Sequence, residues 1–568
     1  MSYQKAGSVP EEIEDILATY DALTRQLLYT RGIETAEAAE LFLDPPYEEG
    51  LHDPFLMHDM DKAVVRILRA LEKGEKIAIF SDYDSDGIPG AVILHDFFKA
   101  VGYSDFINYI PHRHYEGFGF SDHAAEKLHT NKVDLIITID CGTSDIEPIA
   151  TAVRLGMEVI VTDHHEPKET LPEAVAVVNP KVGDTYPFDG LCGAGVIYKL
   201  VQALLQKGKE NKQFELKEGW EKWWLDMVGI ATIADMVPLR DENRVFAKYG
   251  LSVLRKSRRP GLQQLLRKQR ASQRHLTEDD IGFTIGPRIN AASRMDTPED
   301  AFLMLATTDE REAGAYVDHL EKLNNERKGM VASMTKEIHK RLKDQSEIPD
   351  VLVMGNPDWR PSLVGLAANK LAEEHNRPAF LWGRDGNGVL KGSCRSNGSV
   401  SVVSLMNEVP HIFLEHGGHH MSGGFSVMEE HIHTFSQALN EAFLKLGSDA
   451  AIEKELVVDA ELPLEAVNDS LLAVLAVLAP FGLGNHKPLF AFVGISPTTV
   501  DRFGKTKEHT KLTFDTTGRA REAIAFFALP ESFTRTPEVD TELTLLAHVE
   551  QSFFMGRLQT RLRIVDIV

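Results

Sequence analysis

Cysteine is scarce in this 568-residue chain: there are three, Cys141, Cys192 and Cys394, an odd number with no CxxC spacing. That excludes a disulfide framework and a thiolate zinc site, and fits a reducing, cytoplasmic setting. A net positive charge is also missing. The 61 Lys and Arg stand against 85 Asp and Glu, a formal charge of −24, so any polyanionic partner must be held by local basic patches rather than by a chain-wide field. No apolar run can span a bilayer, because the longest uncharged stretch, about 470–486, is interrupted by Pro480, Gly482 and Gly484. The first residues, MSYQKAGSVPEEIEDILATYDALTRQLL, have no basic segment followed by an apolar core. They read as an amphipathic helix rather than a secretory signal, and a soluble protein without a membrane partner is expected. Repeats and low-complexity tracts are absent as well. What remains is ordinary globular material, 43% hydrophobic and 26% charged, long enough for about four domains of roughly 150 residues.

The organisation can be read from periodicity. Residues 1–50 look like a small helical cap ending at the breaker Pro45–Pro46. Within 51–240 the short apolar runs KIAIFSDYD, VDLIITIDCG, MEVIVTDHH and AVAVVNP alternate with helical stretches. This predicts an α/β domain with a mostly parallel sheet, whose ligands lie at the carboxyl ends of the strands. Residues 241–345 contain no convincing strand and read as a long helical connector. Its run from Arg255 to Arg274 carries eight basic residues and no acid, either a track for DNA or a wet helix face. Strand and helix alternate again over 346–450, a second α/β domain. Residues 451–568 show short alternating segments between turns, the pattern of a small β-barrel. From 501 onward ten basic and ten acidic residues balance, so this tail repels a polyanion least.

Polar clusters fall where three apolar runs stop. Asp82, Asp84 and Asp86 alternate along a strand end, so two can share a side while Gly87 lets the chain turn. Crowded carboxylates raise one another's pKa unless a cation neutralises them, and hard oxygen ligands suit Mg²⁺ or Mn²⁺. The alternative is that one of them caps the helix near Pro89 and the others are solvated. Asp140 follows LIITI, a costly place for an uncompensated carboxylate. Asp163, His164 and His165 follow another such run, and imidazole beside carboxylate favours Mn²⁺ over Mg²⁺ or Ca²⁺. Asp235 lies in the apolar segment MVGIATIADMVPL, where it could instead cap a helix end before Pro238. Independent caps have no reason to recur at three strand ends that converge, whereas a pair of divalent ions does. Such a pair binds a phosphoryl group and acidifies a water, so the reaction class is phosphoester or phosphoanhydride hydrolysis.

The ordered set DYDSDG (82–87), TIDCG (138–142), DHH (163–165) and ATIADMVPL (231–239) resembles the DHH phosphoesterase superfamily. GPRINAASRM (286–295), LNNERKGM (323–330), GSCRS (392–396), GGHHMSGGFS (417–426) and LAPFGLGNHKPLF (478–490) resemble its bacterial branch of single-strand-specific 5′→3′ exonucleases. The resemblance runs from about residue 50 to the C terminus. It implies Asp82, Asp84, Asp140, His164 and Asp235 as ligands of two divalent cations, Mn²⁺ preferred and Mg²⁺ possible, with Asp140 bridging. It further implies catalytic roles for Asp163, which orients the pair, and for Asp86, with His165 ligating or touching the scissile phosphate. The second α/β domain would be DHHA1-like and bind substrate, and the barrel would be an OB fold. Two positions depart from the family pattern, Pro89 and the PSLVG segment at 361–365, and both bear on how the substrate is approached.

Other motifs suit phosphates. Ser393 and Arg395 offer a hydroxyl and a guanidinium for a terminal phosphate. Gly418 and its neighbours allow close backbone approach around His419, although a plain Gly-rich turn is the alternative. Arg113 and Arg288 are candidates for backbone phosphates, with Tyr115 and Phe118 as stacking surfaces, solvated Arg and core aromatics being the other reading. The expected function is a metal-dependent exonuclease on single-stranded DNA in repair or recombination, working as a monomer, with helicase and single-strand-binding protein as partners. A phosphodiesterase for short oligonucleotides or cyclic dinucleotides and a non-catalytic single-strand-binding scaffold are the alternatives.

Overall fold

The computed structural model describes residues 3–344, 347–447, 456–516, 519–554 and 557–568. They form two compact units, one of Met1–Tyr109, Phe120–Gly286 and Lys454–Val568, the other of Ile110–Gly119 and Pro287–Glu453. The helical stretch 241–345 thus contributes to both. Among the described residues no helix is long and apolar enough to cross a membrane.

In the first unit the apolar runs become strands buried on both faces, which is why they read as continuous rather than alternating. They are β1 (Ile77–Ser81), β2 (Phe106–Tyr109), β3 (Leu135–Ile139), β4 (Glu158–Thr162) and β5 (Ala176–Val178). All pair in parallel, in the order β2-β1-β3-β4-β5. Strand β2 is an addition to the sequence reading. It is an edge strand of four residues, mostly half-buried, so no long apolar run marks it. Because β1 is flanked by β2 on one side and β3 on the other, the strand order reverses between β1 and β3, and a crevice opens at their carboxyl ends.

The helix Gly87–Ala100 leaves β1. Pro89 sits in its first turn, where a missing N–H breaks no helical bond. A Cβ on Gly90 would fall 2.7 Å from Ile139 Cγ2 and 3.4 Å from Ala194 Cα, so its absence lets strand, helix and the helix Gly193–Glu210 approach closely. The basic run is partly consumed by the fold. Arg259 is paired with Asp226 at 3.0 Å and Asp96 at 2.8 Å, and Arg255 donates to the Leu276 carbonyl at 2.9 and 2.6 Å.

The N-terminal helices Glu11–Ile16, Ala22–Tyr29 and Ala36–Leu43 do not make a separate cap. Leu17, Leu27, Leu28, Ala39 and Leu43 share one core with Leu471, Leu475 and Leu478 and with the C-terminal strand residues Phe490, Phe492, Leu512, Phe514 and Leu545. Those strands belong to a seven-stranded sheet. The strand Tyr3–Lys5 pairs in parallel with Leu456–Val458. The buried Arg244 fastens this assembly through carbonyls: its Nε donates to the Phe42 carbonyl and its Nη2 to the Leu478 carbonyl at 3.0 Å, both at helix C-termini. Helix carbonyl ends favour a cation, while burial lowers the Arg244 pKa to about 9. A second buried group, Lys199, is 2.7 Å from Glu242, which also accepts from Tyr186 and from the His52 N–H.

The second unit holds the 34-residue helix Glu310–Lys343 and a mixed sheet of β6 (Leu352–Gly355), β7 (Ala379–Arg384), β8 (Leu390–Arg395), β9 (Phe413–Gly418) and β10 (Ser422–Val427). The order is β9-β10-β8-β7-β6, and only β6 and β7 run parallel. The PSLVG segment opens the helix Pro361–His375, with Pro361 in its first turn, where proline is favoured.

Candidate metal centre and substrate surface

In the first unit, Asp82 follows β1, Asp140 follows β3 and Asp163 follows β4, so strand pairing alone brings three carboxylates to one end of the sheet. Asp82 and Asp140 are both buried, and Asp82 N–H still pairs with the Ile139 carbonyl at 3.1 Å. The capping role falls to Asp84, whose Oδ1 accepts from the Asp86 and Gly87 N–H groups at 2.8 and 3.3 Å. The buried Asp86 reaches across to another helix: its oxygens accept from Gly193 N–H at 2.6 Å and Ala194 N–H at 2.7 Å. The N-terminus of that helix is a natural anion seat, which compensates a charge that would otherwise be costly there.

Asp140 adopts a left-handed backbone, φ 60°, which turns its carboxylate from the strand into the crevice. Its Oδ1 is buried, accepts no hydrogen bond among the described residues and lies 3.1 Å from His164 Nε2. His164 Nε2 is also 3.6 Å from Asp86 Oδ2 and 3.8 Å from Asp235 Oδ2. Asp235 reaches the site from the C-terminal end of the helix Leu225–Ala234. Asp163 holds the loop: its Oδ1 accepts from the His164 and His165 N–H groups at 2.8 and 3.2 Å and meets His165 Nδ1 at 2.7 Å, while Oδ2 accepts from Thr143 N–H at 2.9 Å. All the residues expected at the centre therefore converge. Their ligand atoms group as Asp82, Asp84, Asp140; as Asp140, His164, His165; and as Asp86, His164, Asp235, each within 4.8 Å.

The electrostatics of this nest are unfavourable without a counter-charge. Burial, then the charges of Asp86, Asp84, Asp82 and Asp235, push the Asp140 carboxyl well above the usual range. Burial followed by Asp86 and Asp84 raises Asp235 to about 8, and burial also raises Asp86. Burial lowers His164. Burial opposes the charged form of His165 too, but the hydrogen bond and charge of Asp163 outweigh it and lift the imidazole to about 9. Asp163 ends far below the ordinary carboxylate range: burial pushes it up, and the bonds from His165 and Thr143 prevail. Clustered acids and two imidazoles in a largely buried crevice, with a buried Asp140 oxygen accepting no hydrogen bond among the described residues, fit hard or borderline divalent cations.

The substrate candidates lie in the second unit. Ser393 and Arg395 neighbour one another on β8, Arg395 Nη1 donating to Ser393 Oγ at 2.8 Å. Arg395 is paired in register with Ser422, the first residue after the β9–β10 turn that carries Gly418 and His419. The expected loop is thus a tight hairpin. At Gly418, φ 140°, a Cβ would meet Ser422 O at 2.4 Å, so only glycine fits, and His419 is exposed. Arg113 is half-buried in the segment 110–119, where Tyr115 is 77% and Phe118 58% exposed. His114 Nε2 ties that segment to the Arg294 carbonyl at 3.2 Å. Arg288 is buried, with Nε 2.8 Å from Glu321 of the helix Glu310–Lys343.

Sequence reasoning missed the supports of the centre. Asn179, at the end of β5, donates to the His165 carbonyl at 2.9 Å and to Thr143 Oγ1 at 3.1 Å. Gly193 lies against Asp140, where a Cβ would be 2.7 Å from Asp140 Cβ. An Asn closing an apolar run and the small-residue string CGAG (192–195) were the available signals.

Fold and centre together define the DHH class of α/β proteins. The chain matches the DHH family, N-terminal domain, over residues 76–232, the DHHA1 domain over 349–445 and the RecJ OB domain over 458–566. It is 35% identical over 511 residues to the single-stranded-DNA-specific exonuclease RecJ of Bacillus subtilis (strain 168), covering 89% of this chain and 63% of that protein, less than two thirds of its length. To the Escherichia coli (strain K12) protein of the same name it is 30% identical over 500 residues, covering 84% of this chain and 85% of that one. The crystal structure of RecJ in complex with Mn²⁺ from Thermus thermophilus superposes with a TM-score of 0.81 at 26% identity, over 100% of this chain and 79% of that chain. The chain belongs to the RecJ family.

Proposed function

We propose that the chain is a divalent-metal-dependent exonuclease that degrades single-stranded DNA from its 5′ end. The observation that carries this reading is the convergence of Asp82, Asp84, Asp140, His164 and Asp235 in one buried crevice, with Asp140 and His164 each shared between ligand groups. Asp82, Asp84, Asp140, His164 and Asp235 would hold two divalent ions, Asp140 being a ligand common to both, and the His164 nitrogen would favour Mn²⁺ with Mg²⁺ usable. Once bound, such ions supply Lewis acidity toward a phosphodiester and an acidified water. The chain's own residues supply the rest. Asp163 keeps His165 oriented through its Nδ1, for a role as ligand or as contact to the scissile phosphate. Asp86 locks the helix Gly193–Glu210 against the nest. Ser393, Arg395 and the Gly418–His419 hairpin offer donors for a terminal phosphate, and Arg113 with Tyr115 and Phe118 for the following nucleotides. The OB domain retains the strand. Arg288, oriented by Glu321, is a further candidate for a backbone phosphate.

The names of the relatives support single-stranded DNA as substrate. The cellular reading is a cytoplasmic monomer in repair or recombination, fed by a helicase and single-strand-binding protein. One strand labelled separately at each end, digested with and without chelator, tests the proposal. Mononucleotide release from the 5′ end that needs Mn²⁺ or Mg²⁺ and spares blunt duplex is expected. Equal digestion of duplex, or release from the 3′ end first, refutes it.

A further inference from the structure

A second cluster of metal-ligand side chains lies apart from the carboxylate nest, within the second unit. His339 sits near the C-terminal end of the helix Glu310–Lys343, and Glu374 and His375 close the helix Pro361–His375. His339 Nε2 is 2.8 Å from Glu374 Oε2, and one ligand atom from each of the three residues lies within 4.8 Å of the other two. The imidazole rings stand 6.1 Å apart at 69°. A hydrogen bond between His339 and Glu374 accounts for two members of the cluster and leaves the third unexplained. His375 Nε2 is buried and has no hydrogen-bond partner among the described residues, an arrangement that native structures rarely tolerate without a ligand or water.

We propose that His339, Glu374 and His375 bind one zinc-class divalent cation that clamps the two helices together. The donor set decides the class. Two imidazoles and one carboxylate select zinc-like ions over Mg²⁺ or Ca²⁺, and three protein ligands leave a fourth position for water. Zinc–ligand distances of ~2.0–2.2 Å place tetrahedral donors ~3.3 Å apart. His339 Nε2 and Glu374 Oε2, 2.8 Å apart, already stand near that spacing, all three ligand atoms lie within 4.8 Å, and a common core fixes the backbones on either side. Ile338 and Leu342 flank His339, and Leu371 and Ala372 precede Glu374 in the same buried cluster. Lys370 Nζ, 3.5 Å from Glu374 Oε1, engages one carboxylate oxygen and leaves Oε2 on the side of His339. The clamp has a functional consequence, because the second helix also carries Gly365. A Cβ there would be 3.0 Å from Ser393 Oγ and 3.2 Å from Arg395 Nη2, so the position of that helix sets the space around both substrate candidates.

The test uses the full chain with Asp140→Ala, stripped by chelator and dialysed against dilute zinc. Elemental analysis of the parent and of the same chain with His339→Gln or His375→Gln reads the site. One zinc equivalent fewer in each variant is expected, with loss of the tetrahedral visible bands when Co²⁺ replaces zinc. His375→Cys, which keeps a zinc ligand, is expected to retain the equivalent. Zinc content unchanged in both Gln variants, or a parent holding none, overturns the proposal. Circular dichroism and the melting temperature in chelator establish that the variants are folded. If His375→Gln alone unfolds, His339→Gln decides.

Discussion

Replacing Gly193 with alanine is expected to disable the metal centre without removing a single ligand. The added Cβ would stand 2.7 Å from Asp140 Cβ and 3.0 Å from Asp140 Cγ and Oδ1, against ordinary carbon contacts of ~3.5–4.0 Å. Something must yield by roughly 0.8 Å or more. If Asp140 yields, the carboxylate shared between ligand groups leaves its place beside His164. If the helix Gly193–Glu210 yields, the bonds from the Gly193 and Ala194 N–H groups to Asp86 lengthen from 2.6 and 2.7 Å. Both routes spoil the centre. Displaced supports of a metal site typically cost ~10–100-fold in affinity, and a misplacement of about 1 Å can cost ~10²-fold in rate. Overpacking costs about 1–3 kcal/mol of stability, offset in part by up to ~1 kcal/mol of helix propensity, so the protein stays folded. Mn²⁺ titration followed by calorimetry, beside single-strand digestion at saturating Mn²⁺, measures both effects. Gly195→Ala is the control: its nearest neighbours, Cys192 Sγ at 3.6 Å and Leu191 Cβ at 3.7 Å, are in ordinary contact, and it should behave as the parent. Wild-type Mn²⁺ affinity and rate in Gly193→Ala would refute the steric reasoning.

Four further outcomes are expected. Lys199→Met leaves the buried Glu242 carboxylate without its cation and should destabilise by about 3–5 kcal/mol in urea unfolding, while Lys199→Met combined with Glu242→Leu recovers much of the loss; equal loss in single and double variants would count against it. Arg244→Leu strands the Phe42 and Leu478 carbonyls and should cost ~2–4 kcal/mol, since bonds from a charged donor contribute ~1.5–3 kcal/mol each; an unchanged denaturation midpoint refutes the stapling role. Chelation should abolish digestion and lower the melting temperature, and Mn²⁺ at ~100 times its Kd should restore ~2.7 kcal/mol of stability, with Asp140→Ala indifferent to the metal. Tyr115→Ala should weaken binding of a single strand by ~1–3 kcal/mol in fluorescence anisotropy, and unaltered affinity removes Tyr115 from the substrate path.

The centre was legible because the costs that shape it are written locally. A carboxylate directly after a buried, largely apolar strand is costly unless something compensates it, and this happens after β1, β3 and β4. Alternating acids in DYDSDG and adjacent imidazoles in DHH add to the signal. Asp86 is less legible, since its two partners are N–H groups more than 100 positions away, at a helix start marked only by small residues. Gly193 matters through a side chain it does not have. Carboxylate partners are equally hidden: Glu321, Asp96 and Asp226, remote in sequence, pair with Arg288 and with Arg259 of the basic run, and no local pattern announces them. The edge strand Phe106–Tyr109 escaped because one neighbour and partial burial ask for no continuous apolar run. The N-terminal cap was misread because amphipathic helices announce that they have an apolar face without saying what covers it.

That shared core also orders events during synthesis. The helices ending at Leu43 complete their core with residues beyond Leu464, and the strand Tyr3–Lys5 waits for Leu456–Val458 as its neighbour. A ribosome adding ~5–20 residues per second needs on the order of 20–80 s to make the intervening length. Throughout that interval the earlier apolar faces have nowhere native to go. The apolar faces of these helices stay open to chaperones over that interval, and they finish folding only when the distant segment emerges to meet them.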